Sequence, residues 1–293
     1  MRRRIRSSNP RTRNRWRSIA LAVACFASVA CAATLNQQVA ACAVILGTND
    51  THGQLLPRVP RWARGREVGG VAALGAYFER VRSESPDCPV FLFSAGDMMQ
   101  GTTMSNLVEG ESIIEAFNLL GYDAAAIGNH EFDWGVEVLK ERLEQADFPV
   151  LGANVYVKGT DRHPDWLPPY AVVERAGVRI GVVGAVTRST PTTSMPARVE
   201  EFEFRSIAQA LDRYIPELRR LDVDFVIALL HAGGRCDEDG SCSGEAMAEL
   251  RRTTAAFDYA ITGHAHSTPL RTRLGRAPIA QGLAYTLAFG VGR

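Results

Sequence analysis

Six short apolar runs punctuate the chain from residue 41 onward. They are "ACAVILG" (41–47), "VFLF" (90–93), "AAAI" (124–127), "VRIGVVGAV" (178–186), "VDFVIALL" (223–230) and "FDYAIT" (257–262). Runs this short and this continuously hydrophobic predict strands buried on both faces. Between them the apolar positions change to helical spacing, over 68–82, 111–121, 135–146, 206–220 and 244–253. Strands alternating with amphipathic helices predict an α/β fold with crossover connections. A further stretch, "APIAQGLAYTLAFGVGR" (277–293), predicts two late strands.

In open α/β sheets, ligands gather beyond the carboxyl ends of the strands. The segments that follow those ends are "GTNDTHG" (47–53), "SAGDMMQG" (94–101), "GNHEFD" (128–133), "HAGG" (231–234) and "GHAH" (263–266). Five of the six histidines lie in these loops, and only His163, in "DRHPDW", stands elsewhere. A lone histidine is an ordinary structural residue, but five gathered with Asp50, Asp97 and Asn129 are not explained that way. Imidazole and oxygen donors without thiolates point to one or two divalent ions of the Zn, Mn or Co type. Asp50 and His52 are two apart in a turn and can reach one ion, whereas His264 and His266 can reach different ions. Asp97, alone between glycine-bearing turns, is suited to bridge, because a carboxylate offers charge and two oxygens. Two cations about 4 Å apart can hold a hydroxide between them and clamp both oxygens of an in-line displacement at phosphorus.

Charge changes the picture at one end only. The formal net charge is +1, but residues 1–18 hold eight arginines and the first acidic residue is Asp50. Without that segment 25 basic side chains face 32 acidic ones, a net charge near −7, which suggests no nucleic-acid surface. The arginines precede "SIALAVACFASVACAA" (18–33), the order of an export signal, with an apolar part short for a membrane span. The expected organisation is a signal over 1–36, a mature start between Cys31 and Ala40, and a catalytic domain over 41–293. "SVAC" (28–31) also allows lipid attachment at Cys31. The expected location is the periplasm or cell envelope, with the extracellular space as the alternative. In an oxidising compartment Cys236 and Cys242, bracketing "DEDGS", predict a disulfide, while Cys42 and Cys88 are either a second pair or buried thiols.

The motifs "ILGTNDTHG", "SAGDMMQG", "AIGNHEFD", "LLHAGG" and "GHAH" together resemble the five blocks of the calcineurin-like metallophosphoesterases. The forms "NDTHG" and "GNHEFDWG" resemble the catalytic domain of the secreted 5'-nucleotidase, UDP-sugar hydrolase and 2',3'-cyclic phosphodiesterase family. The resemblance implies a four-layer α/β/β/α sandwich and a dinuclear metallophosphatase acting on a small nucleotide or phosphate ester. It implies that Asp50, His52, Asp97 and His266 hold one metal, and that Asp97, Asn129, His231 and His264 hold the other. His130 and Asp133 are the implied catalytic pair, and Asn129 and Asn154 the implied substrate contacts. Nucleoside 5'-monophosphate hydrolysis by a metal-bridging hydroxide is the reaction most directly implied. Cyclic-diester or UDP-sugar hydrolysis and a non-catalytic secreted metal-binding protein are the alternatives. Asp133 is further expected to cap the helix starting near Gly135, and Glu131 to do no more than brace its loop. Two departures stand out: His266 replaces a Gln or Asn found in several nucleotidases, and the specificity domain that usually follows is not seen before Arg293.

Overall fold

The computed structural model describes residues 42–266 and 269–293. The expected signal (1–36), the mature start and the Cys31 lipid site lie outside the described residues. Among the described residues no helix is long and apolar enough to cross a membrane.

The first half supplies strands β1 (Val44–Thr48), β2 (Val90–Ser94), β3 (Ala124–Ala126), β4 (Val150–Leu151) and the short β5 (Val155–Val157). The second half supplies β6 (Tyr170–Arg175), β7 (Val178–Val186), β8 (Phe202–Phe204), β9 (Phe225–His231), β10 (Arg235–Cys236) and β11 (Cys242–Ser243). It ends with β12 (Tyr259–Thr262), β13 (Leu270–Leu274), β14 (Ala277–Gln281) and β15 (Gly290–Gly292). The helices are α1 (Val71–Ser83), α2 (Thr103–Asn106), α3 (Glu111–Leu120), α4 (Val136–Gln145), α5 (Thr190–Thr193), α6 (Ile207–Arg219) and α7 (Glu245–Arg252).

One sheet has the order β15-β1-β2-β3-β4, parallel throughout except for β15. The other has the order β13-β14-β12-β9-β7-β6, with four parallel strands between antiparallel edges β13 and β6. Two-residue periodicity sorts the apolar side chains of each strand onto two faces. In β2, Phe91 and Phe93 enter a core between the two sheets, while Val90 and Leu92 enter a core shared with α1, α3 and α4. In β9, Ile227 and Leu229 enter the central core, while Val226, Ala228 and Leu230 meet α6 and α7. The architecture is therefore the expected α/β/β/α sandwich. Because every central strand is buried on both faces, a truncation such as Phe93→Ala is expected to cost about 3–5 kcal/mol.

The predicted strands and helices stand within a few residues of their expected positions. Disulfides join Cys236 to Cys242, closing the β10–β11 hairpin, and Cys42 to Cys88, tying the start of β1 to the start of β2. The second pair resolves the alternative left open by the sequence.

Candidate functional site

Five parallel strands end on one edge, and each ends in a polar loop. Asp50 and His52 follow β1, Asp97 follows β2, Asn129 and His130 follow β3, His231 closes β9, and His264 and His266 follow β12. To turn their side chains back toward the same point, the loops after β1, β2 and β12 adopt backbone that L-residues avoid. Among the described residues eleven non-glycine positions have positive φ, and five of them are Asp50, His52, Asp97, His264 and His266. Such positions cost about 1–3 kcal/mol each and persist only where the surroundings impose them. Strain concentrated on one edge marks that edge as the functional one.

The side chains form two clusters whose potential ligand atoms lie within 4.8 Å of one another: Asp50, His52, Asp97 and His266, and Asp97, His231 and His264. Asp97 belongs to both. Its Oδ1 accepts the His130 backbone N–H at 3.0 Å. Its Oδ2 is thereby set 3.1 Å from Nε2 of His231 and 3.7 Å from Nε2 of His52, between the two groups. Asn129 joins the second cluster, with Oδ1 at 3.0 Å from Nε2 of His231 while its amide nitrogen donates to Thr193 O.

The polarity of these contacts tests whether cations fit. The His231 ring donates from Nδ1 to Ala95 O at 2.8 Å, so the neutral ring presents a lone pair at Nε2. That lone pair faces the oxygens of Asp97 and Asn129, three acceptors converging on one point. The His52 ring likewise uses Nδ1 on Gln100 O at 2.7 Å, and its Nε2 lies 2.7 Å from Nε2 of His266, itself 3.2 Å from Asp50 Oδ1. Acceptors packed against acceptors repel unless a positive charge stands among them, and a divalent ion turns the same crowd into a ligand shell. Electrostatics agree, because a proton is drawn to the place a cation would take. Burial disfavours a charged His231, yet the Asp97 carboxylate outweighs it and pushes the pKa up to about 10. Burial pushes the Asp97 carboxyl upward, but the charge and hydrogen bond of His231 hold it well below the usual range. Burial lowers the pKa values of His52 and His264, keeping imidazole in its ligand form. The two groups of residues are thus suited to two divalent ions, with hard oxygen and borderline nitrogen donors and no thiolate.

His130 stands beside this centre rather than in it. Its ring centroid is 5.6 Å from that of His52, and its Nδ1 is 2.6 Å from Asp133 Oδ2. The hydrogen bond to Asp133 raises the His130 pKa. Its Nε2 has no partner among the described residues.

Three expectations change. Asn154 is fully buried, and its amide is consumed by Val186 N–H, Val186 O and Arg205 O, so it clamps two chain segments and has no amide hydrogen left for a substrate. Asp133 does not cap α4, whose N-cap is Gly135 with no side-chain cap bond; its carboxylate is engaged by His130. Glu131 does brace its loop, but on a larger scale than expected. It accepts backbone N–H groups from Asp97, Met98, Met99 and Gly128 and so holds the Asp97 turn. Burial and the Asp97 charge push its pKa up to about 7. Gly128 allows this approach, since a Cβ there would stand 2.2 Å from Asp97 Oδ1. Sequence reasoning passed over Asn49, whose amide donates to Asp50 Oδ2 at 2.6 Å and accepts from Gly282 N–H at 2.7 Å. Its place beside Asp50 at the end of a buried strand was the available signal.

Residues 43–268 match the family described as calcineurin-like phosphoesterase. Protein UshA of Yersinia enterocolitica is 33% identical over 225 residues, 75% of this chain and 40% of that protein. A 5'-nucleotidase of Vibrio cholerae is 32% identical over 225 residues, 75% of this chain and 39% of that protein. The solved structure of a 5'-nucleotidase precursor from Thermus thermophilus superimposes with a TM-score of 0.69 at 27% identity, covering 85% of this chain and 50% of that one. This chain spans about 40% of the length of the curated relatives it matches. The matched region takes in all five ligand-bearing loops, and the chain belongs to the calcineurin-like phosphoesterase family.

Proposed function

We propose that this protein is a divalent-metal-dependent phosphoesterase that removes phosphate from monoesters, nucleoside 5'-monophosphates foremost, releasing nucleoside and phosphate. The observation that carries this reading is the placement of Asp97, with one oxygen pinned by the His130 amide and the other shared between two ligand clusters. Asp50, His52, Asp97 and His266 would hold one cation, and Asp97, Asn129, His231 and His264 would hold the other. Bound there, two cations supply Lewis acidity that activates water and neutralises charge on the phosphoryl group. The chain's own contribution beyond ligation is His130. Asp133 fixes its ring through Nδ1, and the opposite nitrogen is left to stabilise or protonate the departing oxygen. The nucleotide preference draws support from the 5'-nucleotidases of Vibrio cholerae and Thermus thermophilus. Export to the periplasm or cell envelope belongs to the same reading, supported by two disulfides, which persist in oxidising compartments.

A substrate panel on metal-reconstituted protein tests the reading. AMP and p-nitrophenyl phosphate are expected to turn over faster than 2',3'-cyclic AMP, UDP-glucose and bis-p-nitrophenyl phosphate. The reverse ranking makes the protein a diesterase or UDP-sugar hydrolase. Stoichiometric metal with no hydrolysis of any ester overturns the enzymatic reading altogether.

A further inference from the structure

After β14 the chain crosses from the second sheet back to β15 in the first, along the edge that carries the ligand loops. Two consecutive non-glycine residues of this crossing, Tyr285 and Thr286, have φ of 59° and 60°. Local bonds hold them there. The Tyr285 N–H donates to Asp50 O at 2.7 Å, the Gly70 N–H donates to Thr286 Oγ1 at 2.6 Å, and the Thr286 hydroxyl donates to Tyr285 O at 2.6 Å. The Tyr285 ring is consequently set with its centroid 5.3 Å from those of both His52 and His266, and its hydroxyl 3.4 Å from His266 Nδ1.

Over that ring lies the guanidinium of Arg58, with Cζ 4.8 Å from the centroid. The Arg58 backbone is locked by reciprocal bonds to Val68, both 2.9 Å. Arg58 is half-buried, and among the described residues no carboxylate pairs with it and no acceptor receives its side-chain N–H groups. A cation–π contact seats a guanidinium without consuming any of its five donors. A guanidinium seated in this way keeps its donors for an anion.

We propose that Arg58, seated on Tyr285, forms an anion subsite beside the Asp50, His52, Asp97 and His266 cluster, and that it binds a second phosphate carried by the group that leaves phosphorus. The inference rests on the phosphoesterase reading for the reaction and adds to it the residue that selects, among its substrates, those whose leaving group carries a second phosphate. Arginine suits the task because its fork matches two phosphate oxygens at once.

The test is equilibrium binding of orthophosphate and pyrophosphate to metal-loaded protein, with metal content measured after each titration, together with kcat/KM for AMP and ADP. Arg58→Ala is expected to weaken pyrophosphate by about tenfold or more while changing orthophosphate by less than about threefold, the range for hydrogen bonds to a charged group. Its kcat/KM for ADP should fall by more than that for AMP. Arg58→Lys should lose part of the same selectivity, Tyr285→Ala most of it, and Tyr285→Phe little, because the ring and not the hydroxyl seats the guanidinium. Arg61→Ala, an exposed neighbour, serves as the control for general loss of positive charge. Equal weakening of both phosphates in Arg58→Ala, or none, overturns the subsite. Wild-type protein that binds pyrophosphate through Arg58 but hydrolyses no ester overturns the phosphoesterase reading and leaves the subsite standing.

Discussion

Two histidine environments in this molecule look alike in composition and differ in polarity. His163 donates from Nδ1 to Val155 O at 2.7 Å and accepts from the Tyr214 hydroxyl at Nε2, with the Tyr156 ring 4.2 Å away. Every polar atom there meets one of the opposite kind, and the group is complete as it stands. At the strand ends, His231 and His52 each spend one nitrogen on a backbone carbonyl and turn the other, as a lone pair, toward the Asp97 carboxylate. A packed core does not tolerate such an arrangement without charge compensation. The difference teaches that a cluster of histidines is diagnosed by what its nitrogens face, and not by number or burial.

The comparison breaks first at Asp97. Asp97→Ala is expected to empty both cation positions and to lower turnover by about 10³-fold or more; elemental analysis retaining two equivalents of metal would refute the shared-oxygen arrangement. His130→Ala should retain its metal and lose about 10²–10⁴-fold in turnover on AMP and p-nitrophenyl phosphate. Unchanged turnover would remove His130 from the chemistry. Chelation sharpens the contrast from the side of stability. Cations that bind only the folded state at about 100 times their Kd add about 2.7 kcal/mol, so the melting temperature should fall on metal removal. The size of that fall should be the same in wild type and in His163→Ala.

The smallest effect belongs to His163 itself. His163→Ala is expected to cost about 2 kcal/mol, from two lost hydrogen bonds, with metal content untouched. Its pH dependence has a definite sign. Burial depresses the His163 pKa below the ordinary 6.5. The stability it contributes is therefore fully present above the unfolded value and is lost as pH falls through the folded one. Denaturant unfolding should show the wild type and His163→Ala converging as the pH drops below about 6.5. A gap that widens on acidification would show that His163 is buried as imidazolium.

Much of the site was legible because strand ends and residue types are local features. The central strands announced themselves by unbroken hydrophobicity, and their carboxyl ends displayed Asp50, Asp97, His231 and the rest in plain order. The edge strands were harder. In β13, "LRTRL" buries Leu270, half-buries Thr272 and Leu274 and exposes both arginines, and β6 is at most half-buried, so neither reads as a continuous apolar run. The roles of Asn154, and of Asp133 as a helix cap, are hard to read from sequence for a related reason. An amide or carboxylate beside a motif has several partners within reach, and which one it takes depends on segments distant in sequence, here Val186 and Arg205 for Asn154. That Glu131 braces its loop is legible in the sequence, but nothing local shows that four backbone N–H groups from two loops converge on it.

The chain taken alone determined the α/β alternation, the edge on which function sits, and the set of ligand types, since each follows from burial and spacing within a few residues. Only the folded molecule decided that Asp97 directs one oxygen to two clusters, that Phe91 and Ile227 meet between the sheets, and that Arg58 rests on Tyr285. A strand that is hydrophobic on both faces carries no mark of which face meets the other sheet, and a side chain carries none of which distant loop will face it. Those choices are settled by packing the whole core at once, where non-local contacts outweigh local preference.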